Sequence, residues 1–133
     1  MATINRSIRT FSDFNLLFTA HPSTADVVTV TNENAVKAAI RNLILTKNYE
    51  RPFHPEIGCQ VSSLLFENFT PITKFIMEQT IRDVLEKFEP RARLTGIFVD
   101  EMPDDNAINV SVQFTLNNIE RPITVNTILT RTR

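Results

Sequence analysis

The sequence predicts an α+β fold in which two main helices pack on an antiparallel sheet of three or four strands. In two segments before residue 90, apolar residues recur at the spacing of a helix, and after residue 93 they alternate with polar residues as in a strand. Turn-forming residues separate the alternating runs. Because the strands follow one another directly, they are expected to form a meander with the helices on one face.

The first helix is predicted to begin at Asn32, a suitable N-cap, and to end near residues 46–48. Its apolar residues lie three or four positions apart and define one buried face: Val36, Ala39, Ile40, Leu43 and Ile44. A short helical turn is expected at residues 60–66.

The second helix is predicted to run from Thr70-Pro71 to Phe88, because threonine caps a helix and proline suits the first helical position. Its main apolar stripe consists of Met77, Ile81, Val84, Leu85 and Phe88. Three further apolar residues, Ile72, Phe75 and Ile76, lie on the other side. The first turns are therefore expected to be covered from two directions.

Three strands are predicted in the C-terminal part, at residues 94–100, 108–116 and 123–129. The sequence MPDDN forms the first turn between them. A β-branched run at residues 26–30 supplies a possible fourth strand of the same sheet. Residues 26–133 are thus expected to form a single α+β domain, and residues 1–25 an N-terminal arm whose apolar cluster docks on its own domain or on a neighbour.

The segment from Arg51 to Gly58 contains two prolines and one of the chain's two glycines. Because a residue before proline avoids the helical conformation, this segment is predicted to be a rigid, ordered loop. Phe53 is expected to be its apolar anchor and to pack back on the domain.

Composition argues against several classes of function. The formal net charge of −1 disfavours nucleic-acid binding, which needs a basic surplus. His54 and Cys59 lack the additional ligands of a zinc site. Four glutamates could serve a glycosidase, but no spacing marks a catalytic pair among Glu50, Glu56, Glu67 and Glu89. No cofactor, metal or small-molecule substrate is expected. The sequence shows neither a secretory signal nor a run of about 20 apolar residues, as a membrane span requires.

Arg91 follows Glu89-Pro90 at the junction between the second helix and the first strand. Its planar guanidinium suits bidentate bonds with carboxylates or with free carbonyls at a helix end. We expect Arg91 to be an exposed side chain that contributes little to stability and is available to a partner.

Three segments carry a resemblance to a known family: RPFHPEIGC at residues 51–59, LLFENFTP at 64–71 and FEPR at 88–91. In order and spacing they resemble the wedge protein in baseplates of contractile-tailed bacteriophages, which has a homologue in the type VI secretion baseplate. The resemblance implies a fold like the strand-exchanging domain of contractile sheath proteins. It also implies that Glu89, Pro90 and Arg91 contact the helical core bundle of the wedge, and that the domain is a platform for the first sheath ring.

The last strand is expected to lie at the edge of the sheet, with Thr124 and Asn126 pointing outward. Such an edge can add a strand from another chain, and the resemblance makes the sheath protein the expected partner. Alternatively, the N-terminal arm or the strand at residues 26–30 covers this edge.

The function that the sequence favours is a non-catalytic subunit of a baseplate wedge. Its expected partners are other wedge proteins and the tail sheath protein, without nucleic acid or membrane. It is expected in the virion tail after assembly in the host cytoplasm. Two alternatives stay open: a peptidoglycan-cleaving tail lysozyme, and a small regulatory protein-binding module, because a bacterial anti-adaptor protein shares the implied fold.

Overall fold

The computed structural model describes residues 11–117 and 119–131 and confirms the α+β class. The elements in chain order are β1 (Ser12–Phe14), β2 (Thr29–Thr31), α1 (Asn32–Leu45), α2 (Val61–Leu64), α3 (Pro71–Phe88), β3 (Ala92–Met102), β4 (Ala107–Leu116) and β5 (Ile119–Thr130). The chain divides into two compact units between Ala38 and Ala39. The predicted boundary between an arm and a domain at residue 25 stays a prediction.

The first unit contains a small antiparallel sheet made of β1 and β2. Asp13 lies opposite Val30, and an isolated bridge between Ala20 and Val27 continues the pairing. The prediction that residues 26–30 join the main sheet is therefore wrong. A strand as short as β1 shows no period in the sequence, so its pairing with β2 could not be anticipated.

The predicted beginning of α3 at Thr70-Pro71 and its predicted end at Phe88 are both confirmed. The hydroxyl oxygen of Thr70 accepts a hydrogen bond from the Thr73 backbone N–H at 3.2 Å, and Pro71 occupies the first helical position. The buried face contains Met77, Ile81 and Leu85. Ile72, Phe75 and Ile76 on the opposite face were expected to be covered, but they are 72%, 65% and 44% exposed. Within the described residues, the first turns of α3 are thus covered from one direction only.

The main sheet is an antiparallel meander in the order β3-β4-β5, and α3 packs against β3. The buried row of the central strand β4 is the predicted one: Ile108, Val110, Val112, Phe114 and Leu116. A register shift between Leu94 and Gly96 leaves one extra residue in β3. Side chains alternate between the two faces of a strand, so an even-numbered and an odd-numbered residue normally lie on opposite faces. Ala92, Ile97 and Val99 are nevertheless all buried, because the extra residue of the bulge shifts the alternation by one.

A second register shift lies between Phe114 and Leu116 of β4, opposite the beginning of β5. Phe114 pairs with Ile123, whereas Leu116 pairs with Ile119, so β5 carries extra residues in between, including Pro122. Proline has no N–H for a ladder and is tolerated at such an irregularity. Beyond it, β5 alternates regularly between buried and exposed residues up to Thr130.

Candidate partner-binding surfaces

The junction between α3 and β3 is a tight turn formed by Glu89, Pro90 and Arg91. The Glu89 backbone N–H donates to the Leu85 carbonyl at 2.8 Å, and the Glu89 carbonyl accepts from the Ala92 N–H at 3.2 Å. Glu89 is thereby fixed at the C-terminal end of the helix and is only 3% exposed. Pro90, in contrast, is exposed.

Arg91 and Glu89 form a bidentate ion pair. Arg91 Nε donates to Glu89 Oε1 at 2.6 Å, and Arg91 Nη2 donates to Glu89 Oε2 at 2.8 Å. A buried carboxylate requires such compensation, particularly near the negative end of a helix dipole. The Arg91 side chain is 27% exposed. The expectation of an exposed arginine is therefore wrong, because one edge of the guanidinium is engaged by the buried Glu89. Its expected small effect on stability stays a prediction, and the ion pair favours a larger effect.

The C-terminal strand β5 lies at an edge of the described sheet, as predicted, since β4 is its only neighbour there. Thr124 and Asn126 are exposed on the face opposite to the core, where they lie across from Gln113 and Ser111. Between Pro122 and Thr130 the strand carries no charged residue. The edge is thus regular and uncharged over eight residues, from Ile123 to Thr130.

The segment from Thr46 to Cys59, which we call the 46–59 loop, contains the loop predicted at residues 51–58 and is closed by backbone hydrogen bonds. The Cys59 N–H donates to the Thr46 carbonyl at 2.8 Å and closes the loop at its base. The Tyr49 N–H donates to the Pro55 carbonyl at 3.0 Å and ties its middle. Phe53 is 96% exposed, so the prediction that its ring anchors the loop is wrong. Backbone hydrogen bonds hold this loop in place of an apolar contact.

The candidate chemical groups of the 46–59 loop are dispersed. His54 Nδ1 lies 3.2 Å from Glu56 Oε1 at the surface, where a backbone hydrogen bond and then the His54 side chain lower the pKa of Glu56. Cys59 is buried, and its burial raises the pKa of the thiol. Among the residues that the structure describes, no three histidine, cysteine or acidic side chains are placed to hold a metal ion.

Sequence reasoning missed Tyr49, which is 83% exposed and lies next to the predicted loop. It is the only tyrosine of the chain and lies two residues before the proline-containing motif. This position could have marked it as a candidate binding residue. In the described part of the chain, no helix has the length and apolar character needed to cross a membrane.

Comparison with known sequences identifies a related family. A family model described as "Baseplate wedge protein gp25" matches residues 30–120. The baseplate wedge protein gp25 of Enterobacteria phage T4 is 34% identical to this chain over 82 residues, which is 62% of either protein. The match thus covers less than two thirds of that relative's length.

Comparison with solved structures finds the same fold in several other proteins. A putative tail lysozyme from Geobacter sulfurreducens aligns with a TM-score of 0.67 at 16% identity, over 74% of this chain and 89% of that one. A chain in the baseplate of the anti-feeding prophage aligns with a TM-score of 0.65 at 19% identity, over 89% and 83%. A chain of the type VI secretion baseplate complex gives 0.57 at 16% identity, over 73% and 92%. At 16% to 19% sequence identity, these alignments show similarity of fold and not of function.

Proposed function

Because the chain belongs to the baseplate wedge protein gp25 family, we propose that it is a non-catalytic subunit of the baseplate wedge of a contractile tail. In this proposal residues 89–91 contact the helical core bundle of the wedge, and the edge of β5 receives a strand of the tail sheath protein. The match of the family model across residues 30–120 is the observation that carries the proposal. The protein would act in the virion tail after assembly in the host cytoplasm.

The turn at residues 89–91 is suited to present an oriented cation to a partner. Glu89 holds the Nε edge of Arg91, so the guanidinium has a fixed direction and loses little side-chain entropy on binding. Pro90 is exposed beside it. Glu89 itself is 3% exposed and would therefore act on the partner through Arg91.

The two edges of the main sheet differ in how well they can receive a strand. The β3 edge carries the bulge between Leu94 and Gly96 and the charged residues Asp100 and Glu101, which are features that discourage pairing. The β5 edge has its own irregularity and the charged residues Glu120 and Arg121, but these are confined to its beginning, and the eight residues from Ile123 to Thr130 have neither. Residues 29–31 belong to a separate sheet with β1, and the alternative that the N-terminal arm covers the β5 edge stays a prediction. These observations favour strand addition at β5.

The placement of the acidic residues favours a structural role over peptidoglycan cleavage. Glu50, Glu56 and Glu67 are exposed, and the buried Glu89 uses both carboxylate oxygens on Arg91. A glycosidase needs two carboxyl groups across one bond in a cleft. The family match supports partners among the other baseplate proteins. The sheath protein enters the proposal through the β5 edge, and nucleic acid, membrane and a small-molecule substrate have no role in it.

Lysine substitutions at the β5 edge test the proposal. Thr124→Lys and Asn126→Lys place a charge on exposed positions without removing any backbone N–H. Charged side chains on an edge strand oppose strand addition. We expect the double variant to enter baseplates normally but to block sheath growth on purified baseplates, as seen by electron microscopy.

Gln113→Lys is the matched control, because Gln113 lies directly opposite Thr124 on the same face but belongs to the central strand β4. Sheath growth should proceed with this variant. Normal growth with both edge lysines would refute strand addition at β5. Equal failure of all three variants would assign the contact to the outer face of the sheet and not to its edge.

A further inference from the structure

The two ends of the 46–59 loop are held together by backbone contacts. Its base is the hydrogen bond from the Cys59 N–H to the Thr46 carbonyl, and Gly58 has a φ of 156°. A Cβ at Gly58 would lie 2.7 Å from the carbonyl carbon and oxygen of Lys47 and 2.8 Å from the Asn48 nitrogen. The two ends of the loop therefore approach each other in a way that only glycine allows.

This loop carries two large aromatic side chains that are exposed to solvent. Tyr49 is 83% exposed and Phe53 is 96% exposed. Both residues have left-handed backbone conformations, with φ of 68° and 67°. Left-handed conformations are unfavourable for bulky residues and concentrate at ligand-binding and switch regions. A single exposed aromatic needs no explanation, but two of them, each in a strained conformation on one fastened loop, do.

A hollow of about 300 Å³ adjoins the loop and is lined in part by Asn48, Tyr49 and Cys59. The side-chain oxygen of Asn48 is buried and has no hydrogen-bond partner among the described residues. A buried acceptor without a donor costs about 1–3 kcal/mol. This oxygen is closed off from solvent, so it adds to the cost of holding the loop in this conformation.

We propose that the 46–59 loop is a separate docking element, in which Tyr49 and Phe53 pack into an apolar pocket of a neighbouring protein subunit. This interface is distinct from residues 89–91 and from the β5 edge. The inference rests on the proposed function only for the identity of the particle in which the neighbour lies.

The chemistry of the loop indicates a protein partner. Lys47 and Arg51 are balanced by Glu50 and Glu56, so the loop has no basic surplus for phosphate groups. Exposed tyrosine and phenylalanine on a rigid support are typical anchors of protein interfaces, because little conformational entropy is lost when they are buried.

Serine substitutions of the two aromatics test the inference in complete tails. Tyr49→Ser and Phe53→Ser should leave the unfolding temperature of the isolated chain unchanged, because both rings are exposed. The amount of chain retained in purified tails should fall by about tenfold or more, as expected for central interface anchors. Phe66→Ser is the matched control, since Phe66 is 69% exposed and lies outside the loop.

Photochemical crosslinking provides the second readout. p-Benzoylphenylalanine in place of Phe53 should crosslink to another protein of the purified tail upon irradiation, and the isolated chain under the same conditions should give no such product. The inference would be overturned if purified tails retained the serine variants in the same amount as the parent chain. It would also be overturned if the crosslinking yield were the same with and without the tail. If the β5 lysine variants still block sheath growth in that case, the proposed function stands without this interface.

Discussion

Replacement of Arg91 by alanine tests whether the ion pair with Glu89 is a structural brace. Arg91 Nε and Nη2 lie 2.6 and 2.8 Å from the two Glu89 carboxylate oxygens, and the Glu89 side chain is 4% exposed. Removing one partner of a buried pair costs about 3–5 kcal/mol because the other charge is left uncompensated. Since the Arg91 side chain is 27% exposed, we take the lower end and expect about 3 kcal/mol.

For a chain of 133 residues, this loss corresponds to a decrease of about 10 °C in Tm. Urea and thermal unfolding of the isolated chain, followed by circular dichroism, measure it. A cost below about 1 kcal/mol, the range of exposed pairs, would refute the assignment of a brace.

The double variant Glu89→Leu/Arg91→Ala separates stability from partner binding. Without the carboxylate no unpaired buried charge remains, so the double variant should recover most of the stability that Arg91→Ala loses. It still lacks the cation that we propose to contact the core bundle. We therefore expect a folded chain that fails in wedge assembly. Normal assembly of this variant would limit Arg91 to its structural role.

Three further substitutions probe the rest of the architecture by unfolding measurements on the isolated chain. Gly58→Ala should cost about 3 kcal/mol, because its Cβ would meet the Lys47 backbone at 2.7 Å. Gly96→Ala should cost less than about 1 kcal/mol, because the nearest atoms belong to the half-exposed Phe98 ring, which can move. Equal effects at the two glycines would contradict this reasoning. Thr70→Ala should cost about 1 kcal/mol through loss of the α3 cap, and no change would mean that water replaces the cap.

Much of the fold could be predicted because its signals are local. Thr70 and Pro71 mark the beginning of α3 through a cap and a proline preference that act within one turn. The alternation in β4 likewise follows from one buried and one exposed face. The bulge at Leu94–Gly96 was not predicted, since it depends on which residues of β3 must face the core opposite β4.

The errors concern contacts between distant residues. The environment of Phe53 depends on hydrogen bonds that close the 46–59 loop, and apolar character alone suggested burial. The exposure of Ile72, Phe75 and Ile76 depends on whether another element covers that side of α3. The bidentate geometry of Glu89 and Arg91 requires a particular backbone turn around Pro90, which sequence spacing permits but does not specify.

The unequal edges of the main sheet also restrict how copies of this chain can pair with one another. Joining the β5 edge of one copy to the β3 edge of the next would repeat without end, as in a filament, and the bulge in β3 opposes that arrangement. Joining the β5 edges of two copies instead relates the copies by a two-fold axis. Each copy then has its β5 edge occupied, so no third copy can be added through β5. Any pairing of free subunits through the sheet would therefore stop at two copies, and a strand from a different protein at β5 would compete with it.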